Sequence, residues 1–329
     1  MSEKRAAKEE PERNSRAILT ITVNPAVDAN TEVSQVVADR KLRCDSPRHE
    51  PGGGGINVSR AIGRLGGSST ALYTSGGPAG MQLEGLLDSE GIDHHAFETE
   101  GHTRVNFTVR ETSSDRQFRF GMPGPTLREQ EWTGFLDCVR ERLPAKGFVV
   151  ASGSLAPGVP HDFYARIARM LKEGGSRFIL DTSGEPLVRA AEEGVYLLKP
   201  NMREFQELVQ REIADEREQE RQARILVQRG SCEVLVLSLG SAGVLLATEE
   251  DATRLRAPTV PIRSKVGAGD STVAGLVLGL YRGMTLYDSA RLGIAAGAAT
   301  VMTPGTELCR GDDAQRLFKQ LRAGRIADG

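Results

Sequence analysis

Largely apolar runs of strand length recur along the chain, at Ile18 to Val23, Ala71 to Thr74, Phe148 to Ala151, Phe178 to Leu180, Tyr196 to Leu198 and Val234 to Leu237. Unbroken runs of this kind mark strands that are covered on both faces. Between them the pattern is helical, at Gly55 to Leu65, Met81 to Leu87, Phe163 to Leu171 and Phe205 to Val209. Gly269 to Tyr281 and Ala290 to Val301 read as long helices of small residues that pack closely. Strands alternating with helices predict an α/β fold with a mostly parallel sheet and helices on both faces.

Two stretches break this rhythm. Ala29 to Glu50 and Arg104 to Phe120 alternate polar and apolar residues, for instance Val105, Phe107 and Val109 against Asn106, Thr108 and Arg110. Alternation predicts half-exposed strands, which here form a small sheet standing off the core as a lid. A sheet with one apolar face and no helix over it is expected to pair with another copy, giving a homodimer. The Arg/Glu-rich run from Arg211 to Arg224 reads as a solvated helix face.

Composition narrows the partners. The 329 residues carry 42 basic and 44 acidic side chains, a net charge of -2, so neither nucleic acid nor a membrane surface is expected as partner. Aromatic residues make up only 5%, too few for a base-stacking platform. The 37 glycines are abundant and clustered, which suggests turns where backbone approaches a ligand. Cys44, Cys138, Cys232 and Cys309 stand far apart with no CxxC pair, which argues against a zinc site and for reduced thiols in the cytoplasm. The first sixteen residues are polar and charged without an apolar core, and are expected to be a disordered tail.

Candidate chemistry concentrates in a few places. Val266-Gly267-Ala268-Gly269-Asp270 runs into a small-residue helix. Free backbone N–H groups and the helix dipole at such a start suit a developing anion. Asp270 beside them is either a general base or merely the cap of the helix. No GxxxxGK[ST] motif occurs, nor a GxGxxG after a strand, so a nucleotide must be held at glycine turns and helix starts at strand ends.

Lys199-Pro200-Asn201-Met202-Arg203-Glu204 follows one strand. Asn201 and Glu204 share a helix face, where they either hold a hydrated Mg²⁺ or form a capping box. Ser238-Leu239-Gly240-Ser241-Ala242-Gly243 follows another strand, and is either a phosphate-approaching turn or a plain hairpin. Asp28 follows the first strand and is placed to accept sugar hydroxyls. Gly52-Gly53-Gly54-Gly55 with Asn57 forms a turn near a polyol, and four glycines in a row are costly in entropy. Arg104 and Lys41 on the lid stretches are either phosphate ligands or ordinary surface charge. Ser152-Gly153-Ser154 at a further strand end completes the pocket.

From Ile18 onward these pieces, in this order, resemble the ribokinase-like carbohydrate kinases, specifically the phosphofructokinase B branch. Its two signatures stand here as Gly52-Gly53-Gly54-Gly55-Ile56-Asn57-Val58-Ser59-Arg60-Ala61 and Ser264-Lys265-Val266-Gly267-Ala268-Gly269-Asp270-Ser271. Lys41-Leu42-Arg43-Cys44 and Gly305-Thr306-Glu307-Leu308-Cys309 bring it nearest the minor bacterial ATP-dependent 6-phosphofructokinase type. The 1-phosphofructokinases and tagatose-6-phosphate kinases usually carry lysine at the third glycine, where Gly54 stands. The resemblance implies a single doubly wound α/β domain over 17–329, with a lid from about 29–50 and 104–120 that mediates dimerisation.

It also implies roles. Asp270 is the expected base for the fructose 1-hydroxyl, and Gly267, Ala268 and Gly269 the anion hole. Asp28, Gly53, Gly54, Gly55, Asn57, Ser152 and Gly153 are placed around the sugar, with Arg104 and Lys41 at its 6-phosphate. Lys199, Asn201, Glu204, Ser238, Gly240, Ser241 and Gly243 are placed around ATP, with Mg²⁺ held through water by Asn201 and Glu204. A monovalent cation, K⁺, is expected at Ser264 and Val266. The family commonly reads Asp-Thr-Val or Ser-Thr-Val there, so Lys265 is a departure; it either leaves carbonyl ligation intact or supplies its own charge. Thr303 and Glu307 near the second cation loop also depart from what is expected of that 6-phosphofructokinase type.

Overall fold

The computed structural model describes residues 16–172 and 174–324. Positions 1–15 of the expected tail lie outside the described residues, and Arg16 already begins the first strand. The amino-terminal half runs β1 (Arg16–Thr22), β2 (Ala26–Val33), β3 (Arg48–Gly52), α1 (Gly54–Arg64), β4 (Thr70–Ser75), α2 (Gly77–Ser89), β5 (Asp93–Glu98), β6 (Arg104–Glu111), β7 (Arg116–Phe120), α3 (Glu129–Arg142) and β8 (Lys146–Ser152). It continues through α4 (Phe163–Lys172), β9 (Gly175–Asp181), α5 (Glu185–Glu193), β10 (Val195–Leu198), α6 (Met202–Val209), α7 (Glu216–Gln228), β11 (Cys232–Ser238), β12 (Val244–Ala247), β13 (Ala252–Leu255), α8 (Ala268–Tyr281), α9 (Leu286–Val301) and α10 (Gly311–Arg322).

Nine strands form one sheet in the order β13-β12-β11-β10-β9-β8-β1-β4-β5. All pairs are parallel except those made by β12 and β13, which close one edge as antiparallel strands. One face is covered by α3 to α7 through Phe135, Phe163, Leu187, Phe205 and Leu226. The other is covered by α1 and α8 to α10 through Ile62, Val277, Leu292 and Leu317. The chain leaves β1 toward β4 on one side and returns through β8 on the other. A ligand crevice is expected outside the carboxyl ends of strands at such a switch point.

α8 and α9 pack backbone to backbone, as their small residues predict. A Cβ on Gly275 would lie 2.6 Å from the Leu292 carbonyl oxygen, and one on Gly293 2.6 Å from that of Thr272. This contact anchors the helix whose first turn carries Asp270.

A second sheet, in the order β3-β2-β6-β7, stands apart from the first. The two alternating stretches therefore do form a small sheet, with different bounds. Ala29 to Glu50 is not a continuous strand. It holds the end of β2, a loop over 34–47 and the start of β3, and β2 begins earlier at Ala26. The Arg211–Arg224 run is also split, since α7 begins at Glu216 under an Asp215 cap. β5 and α3 carry no strong period of their own and owe their form to packing beside β4 and on the sheet face.

Candidate active site

The carboxyl ends of β1, β8, β9 and β10 and the amino ends of α1, α6 and α8 meet at the switch point. Gly267 caps α8 in the left-handed region (φ 74°), a conformation that glycine adopts without steric cost. Ala268, Gly269 and Asp270 then form the first helical turn, whose leading N–H groups have no partner within the helix. A Cβ on Gly269 would lie 3.6 Å from Lys199 Nζ, so the ammonium stands beside this turn.

Asp270 is half-buried among donors. Asn57 Nδ2 donates to its Oδ2 (3.0 Å) and Ser152 Oγ to its Oδ1 (3.3 Å). Burial and the nearby Asp181 carboxylate push its pKa up to about 6, against the pull of Asn57, Lys199 and Ser152. Asp270 does not cap α8; its side chain is held by α1 and β8 instead. The arrangement suits a base near neutral pH beside a helix start open to an anion.

The glycine run is a matter of close approach. A Cβ on Gly54 would meet Ser152 Oγ and, at 2.7 Å, the Gly153 amide nitrogen. One on Gly55 would meet the Ile21 carbonyl oxygen and Thr22 Oγ1. Gly53 precedes α1 with φ 110° against Thr22 and Pro25. The start of α1 is thus pressed onto the ends of β1 and β8, which is what delivers Asn57 and Ser152 to one carboxylate. Gly153 is fixed in turn, its carbonyl accepting from Thr182 Oγ1 (2.9 Å) and Tyr164 Oη (3.2 Å).

The root of the small sheet borders this floor. Asp28 on β2 packs against Gly52 and accepts from Asn106 Nδ2 (2.9 Å). Burial raises its pKa, against Asn106, Arg104, Arg60 and Arg119. Arg104 donates to the carbonyls of Met122 (2.7 Å), Asn24 (2.8 Å) and Pro25 (3.3 Å). Its guanidinium therefore braces the β1–β2 turn and the segment after β7, at the edge of a cleft of about 450 Å³ lined by Pro123, Leu155 and Pro186. Lys41 lies exposed in the 34–47 loop, away from any strand.

Around the ends of β9 and β10, Lys199 is buried and lies 3.0 Å from Asp181 Oδ2. Burial lowers its pKa, but Asp181, Asp270 and Glu204 more than offset this and hold it above the usual value. Asn201 and Glu204 do form the capping box of α6, each side chain accepting from the other's amide at 3.0 and 2.8 Å. Burial and Asp181 push the Glu204 carboxyl up, against its cap contact and Lys199. The described residues hold no group of three or more metal-ligating side chains. Glu204 and the neighbouring Asp181 carboxylate that pushes it up fit a divalent ion held through water and phosphate.

Ser238 ends β11 beside Asn201, to which it is bridged. Gly240, Ser241 and Ala242 form one exposed 3₁₀ turn and Gly243 returns the chain into antiparallel β12. The hairpin alternative is therefore realised, with its tip next to the start of α6. Ser264 Oγ donates to the Gly305 carbonyl (2.6 Å), and Thr303 Oγ1 to those of Thr300 (2.7 Å) and Glu307. Val266 follows with its amide on Ser264 Oγ (3.3 Å). These hydroxyls gather the carbonyl-rich loops 263–266 and 301–307 into contact, which fits ligation of a monovalent ion by backbone oxygens; Lys265 is exposed.

Two residues of the site escaped the sequence reading. Asp181 directly follows the apolar run Phe178 to Leu180, the same strand-end signal that marks Asp28. Arg60 sits in the middle of α1 between Ser59 and Ala61, and it is fully buried.

A family model described as pfkB family carbohydrate kinase matches residues 19–312. The chain is 46% identical over 302 residues to the ATP-dependent 6-phosphofructokinase isozyme 2 of Mycobacterium tuberculosis, covering 92% of this chain and 89% of that one. It is 33% identical over 312 residues to the 1-phosphofructokinase of Bacillus subtilis, covering 94% and 100%. Phosphofructokinase-2 from Escherichia coli superposes with TM-score 0.89 in its complex with fructose-6-phosphate, at 37% identity, and 0.90 in its complex with potassium, at 38% identity. Each superposition covers 93% of this chain and 99% of the other.

Proposed function

The chain belongs to the pfkB family of carbohydrate kinases, and on that premise we propose that it transfers the γ-phosphoryl group of ATP to the 1-hydroxyl of D-fructose 6-phosphate, giving fructose 1,6-bisphosphate and ADP. The observation that carries this reading is Asp270, a carboxylate with its pKa raised to about 6, set in the first turn of α8. Asp270 takes the hydroxyl proton as the sugar oxygen attacks the γ-phosphorus and the bond to the ADP oxygen breaks. The N–H groups of Gly267, Ala268 and Gly269 face the charge that develops on the transferring group. Lys199 and the Ser238–Gly243 hairpin border the ATP phosphates, and Asn57, Asp28 and the glycine run hold the sugar in line. Asn201, Glu204 and Asp181 would hold Mg²⁺ through water; the ion's chemistry is to screen the β- and γ-phosphate charge.

Gly54 favours fructose 6-phosphate over the tagatose 6-phosphate and fructose 1-phosphate readings, because the lysine usual in those enzymes has no room against Ser152 and Gly153. A non-catalytic sugar-phosphate sensor would have little need for a base beside an open helix start. The test is ADP release with Mg·ATP across fructose 6-phosphate, tagatose 6-phosphate, fructose 1-phosphate, fructose and ribose. A lead in kcat/KM for fructose 6-phosphate is expected, and no turnover with any sugar would leave the sensor standing.

The same reading extends to the assembly. The kinase domain expected over 17–329, of which 173 and 325–329 lie outside the described residues, is a single unit with the small sheet as its lid. Arg104 reaches the 6-phosphate by exchanging its carbonyl partners, and Lys41 on the 34–47 loop joins it. Phe107 and Phe120 face each other across β6 and β7 and are 45% and 50% exposed, which supports a homodimer through the lid. K⁺ would be held between the 263–266 and 301–307 loops by the backbone carbonyls of Ser264 and Val266. Four free cysteines suit the cytoplasm.

A further inference from the structure

Arg60 is the largest fully buried side chain among the described residues, 1% exposed in the middle of α1. Its Nε and Nη2 clasp both oxygens of Glu90, at 2.8 and 2.6 Å. Its Nη1 donates to the Pro51 carbonyl (2.9 Å) and to Asn57 Oδ1 (3.4 Å). Glu50 Oε1, itself paired with exposed Arg48, lies 3.8 Å from Nη2. The bidentate clasp leaves the guanidinium no freedom to turn.

Asn57 is thereby held between a group that only donates and a group that, when charged, only accepts. Its Oδ1 faces Arg60 and its Nδ2 faces Asp270 Oδ2. Reversing the amide would set NH₂ against guanidinium and oxygen against carboxylate. When Asp270 takes up a proton, its second constraint vanishes but the one from Arg60 remains. The partner of Oδ1 differs, because a serine hydroxyl turns to accept as readily as it donates.

We propose that Arg60 is a positioning residue that locks Asn57 as a donor to Oδ2 of Asp270, so that Oδ1, beside Ser152, is the oxygen that takes the substrate's proton. This rests on Asp270 being the base, yet its test needs no substrate. The proton moves from the sugar hydroxyl to Oδ1, the Ser152 hydroxyl rotates to accept from it, and Oδ2 keeps its Asn57 contact. Of the other charged groups facing Asp270, Asp181 and Lys199 stand at the ends of β9 and β10 and pair with each other, and neither contacts Arg60.

The experiment is the NMR titration of the Asp270 side-chain carboxyl carbon in the intact protein, for the wild type, Arg60→Lys, Asn57→Ala and the double variant. Arg60→Lys keeps the positive charge near Glu50 and Glu90 but loses the fork. Asn57 can then turn its oxygen to a protonated Oδ2, so the midpoint should rise by about 1 pH unit, the scale of one hydrogen bond between neutral groups. In the Asn57→Ala background the same change should add nothing. An unmoved midpoint, or an equal shift in both backgrounds, overturns the proposal. Should Arg60→Lys not fold, the wild type still decides it. The Asn57 Nδ2 protons, assigned by their loss in Asn57→Ala, should stay protected from exchange on both sides of the midpoint, and their exposure once Asp270 is protonated overturns the lock. Absence of sugar-phosphate turnover would sink the substrate reading while leaving this titration readable.

Discussion

Lys199 Nζ lies 3.0 Å from Asp181 Oδ2, a buried ion pair at the ends of two neighbouring strands that stands beside the first turn of α8. The pair holds one positive charge next to Asp270 and one negative charge that raises its pKa. Lys199→Met should therefore do two things. Losing a fixed cation beside the transferring phosphoryl should cut kcat by roughly 10²–10³-fold. Leaving Asp181 unpaired should move the acidic limb of the rate profile to higher pH. A kcat within twofold of wild type, with an unmoved limb, would remove Lys199 from the machinery.

The acidic limb itself is the second prediction. A base must be ionised to act, so kcat/KM for fructose 6-phosphate should fall with unit slope below about pH 6, following the raised pKa of Asp270. A flat profile down to pH 5 contradicts the assignment.

Asp270→Asn separates activity from stability. Turnover should drop by at least about 10²–10⁴-fold, with fructose 6-phosphate binding largely retained. The folded-state pKa lies above the ordinary value of 3.8, so the wild type loses stability as pH rises from near 4 through about 6, and above that the ionised carboxylate is a standing cost. The asparagine variant should be more stable by about 3 kcal/mol at pH 7 and gain little at pH 4. Denaturant titrations at the two pH values measure this.

Gly54→Ala places a methyl against Ser152 and Gly153. It should cost about 1–3 kcal/mol in stability and lower kcat by shifting Ser152 away from Asp270. Equal stability and rate would mean that the start of α1 gives way freely.

For the lid, Phe107→Asp puts a charge on the exposed Phe107–Phe120 pair. If the proposed dimer forms through this sheet, sedimentation should report a dimer for the wild type and a monomer for the variant at the same concentration, with the fold intact by circular dichroism. A variant that sediments as wild type would move the interface elsewhere.

The large elements were legible because each covers enough residues for a period to stand out. Apolar runs such as Phe178 to Leu180 became parallel strands, and the small residues of Gly269 to Tyr281 became a helix pressed onto its neighbour. The 34–47 loop was not legible, since its polar residues continue the alternation of β2 without pairing. Asn201 and Glu204 were read either as a metal pair or as a cap; the cap is formed, and its raised Glu204 carboxyl leaves room for both.

By itself the sequence determined the fold class, the order of the strand-end turns, and the placing of a carboxylate beside a glycine-lined helix start. Those follow from local chemistry: periodicity, turn residues and a carboxylate next to a helix beginning. Only the tertiary structure decided that Asn57, Ser152, Asp181 and Lys199 converge on Asp270, that Arg104 braces three carbonyls, and that Arg60 is buried between Glu90 and Asn57. Sequence separation hides such contacts: Asn57 and Asp270 are brought together by sheet order and by close backbone packing at Gly54 and Gly55, and burial then sets the charges that adjacency alone cannot.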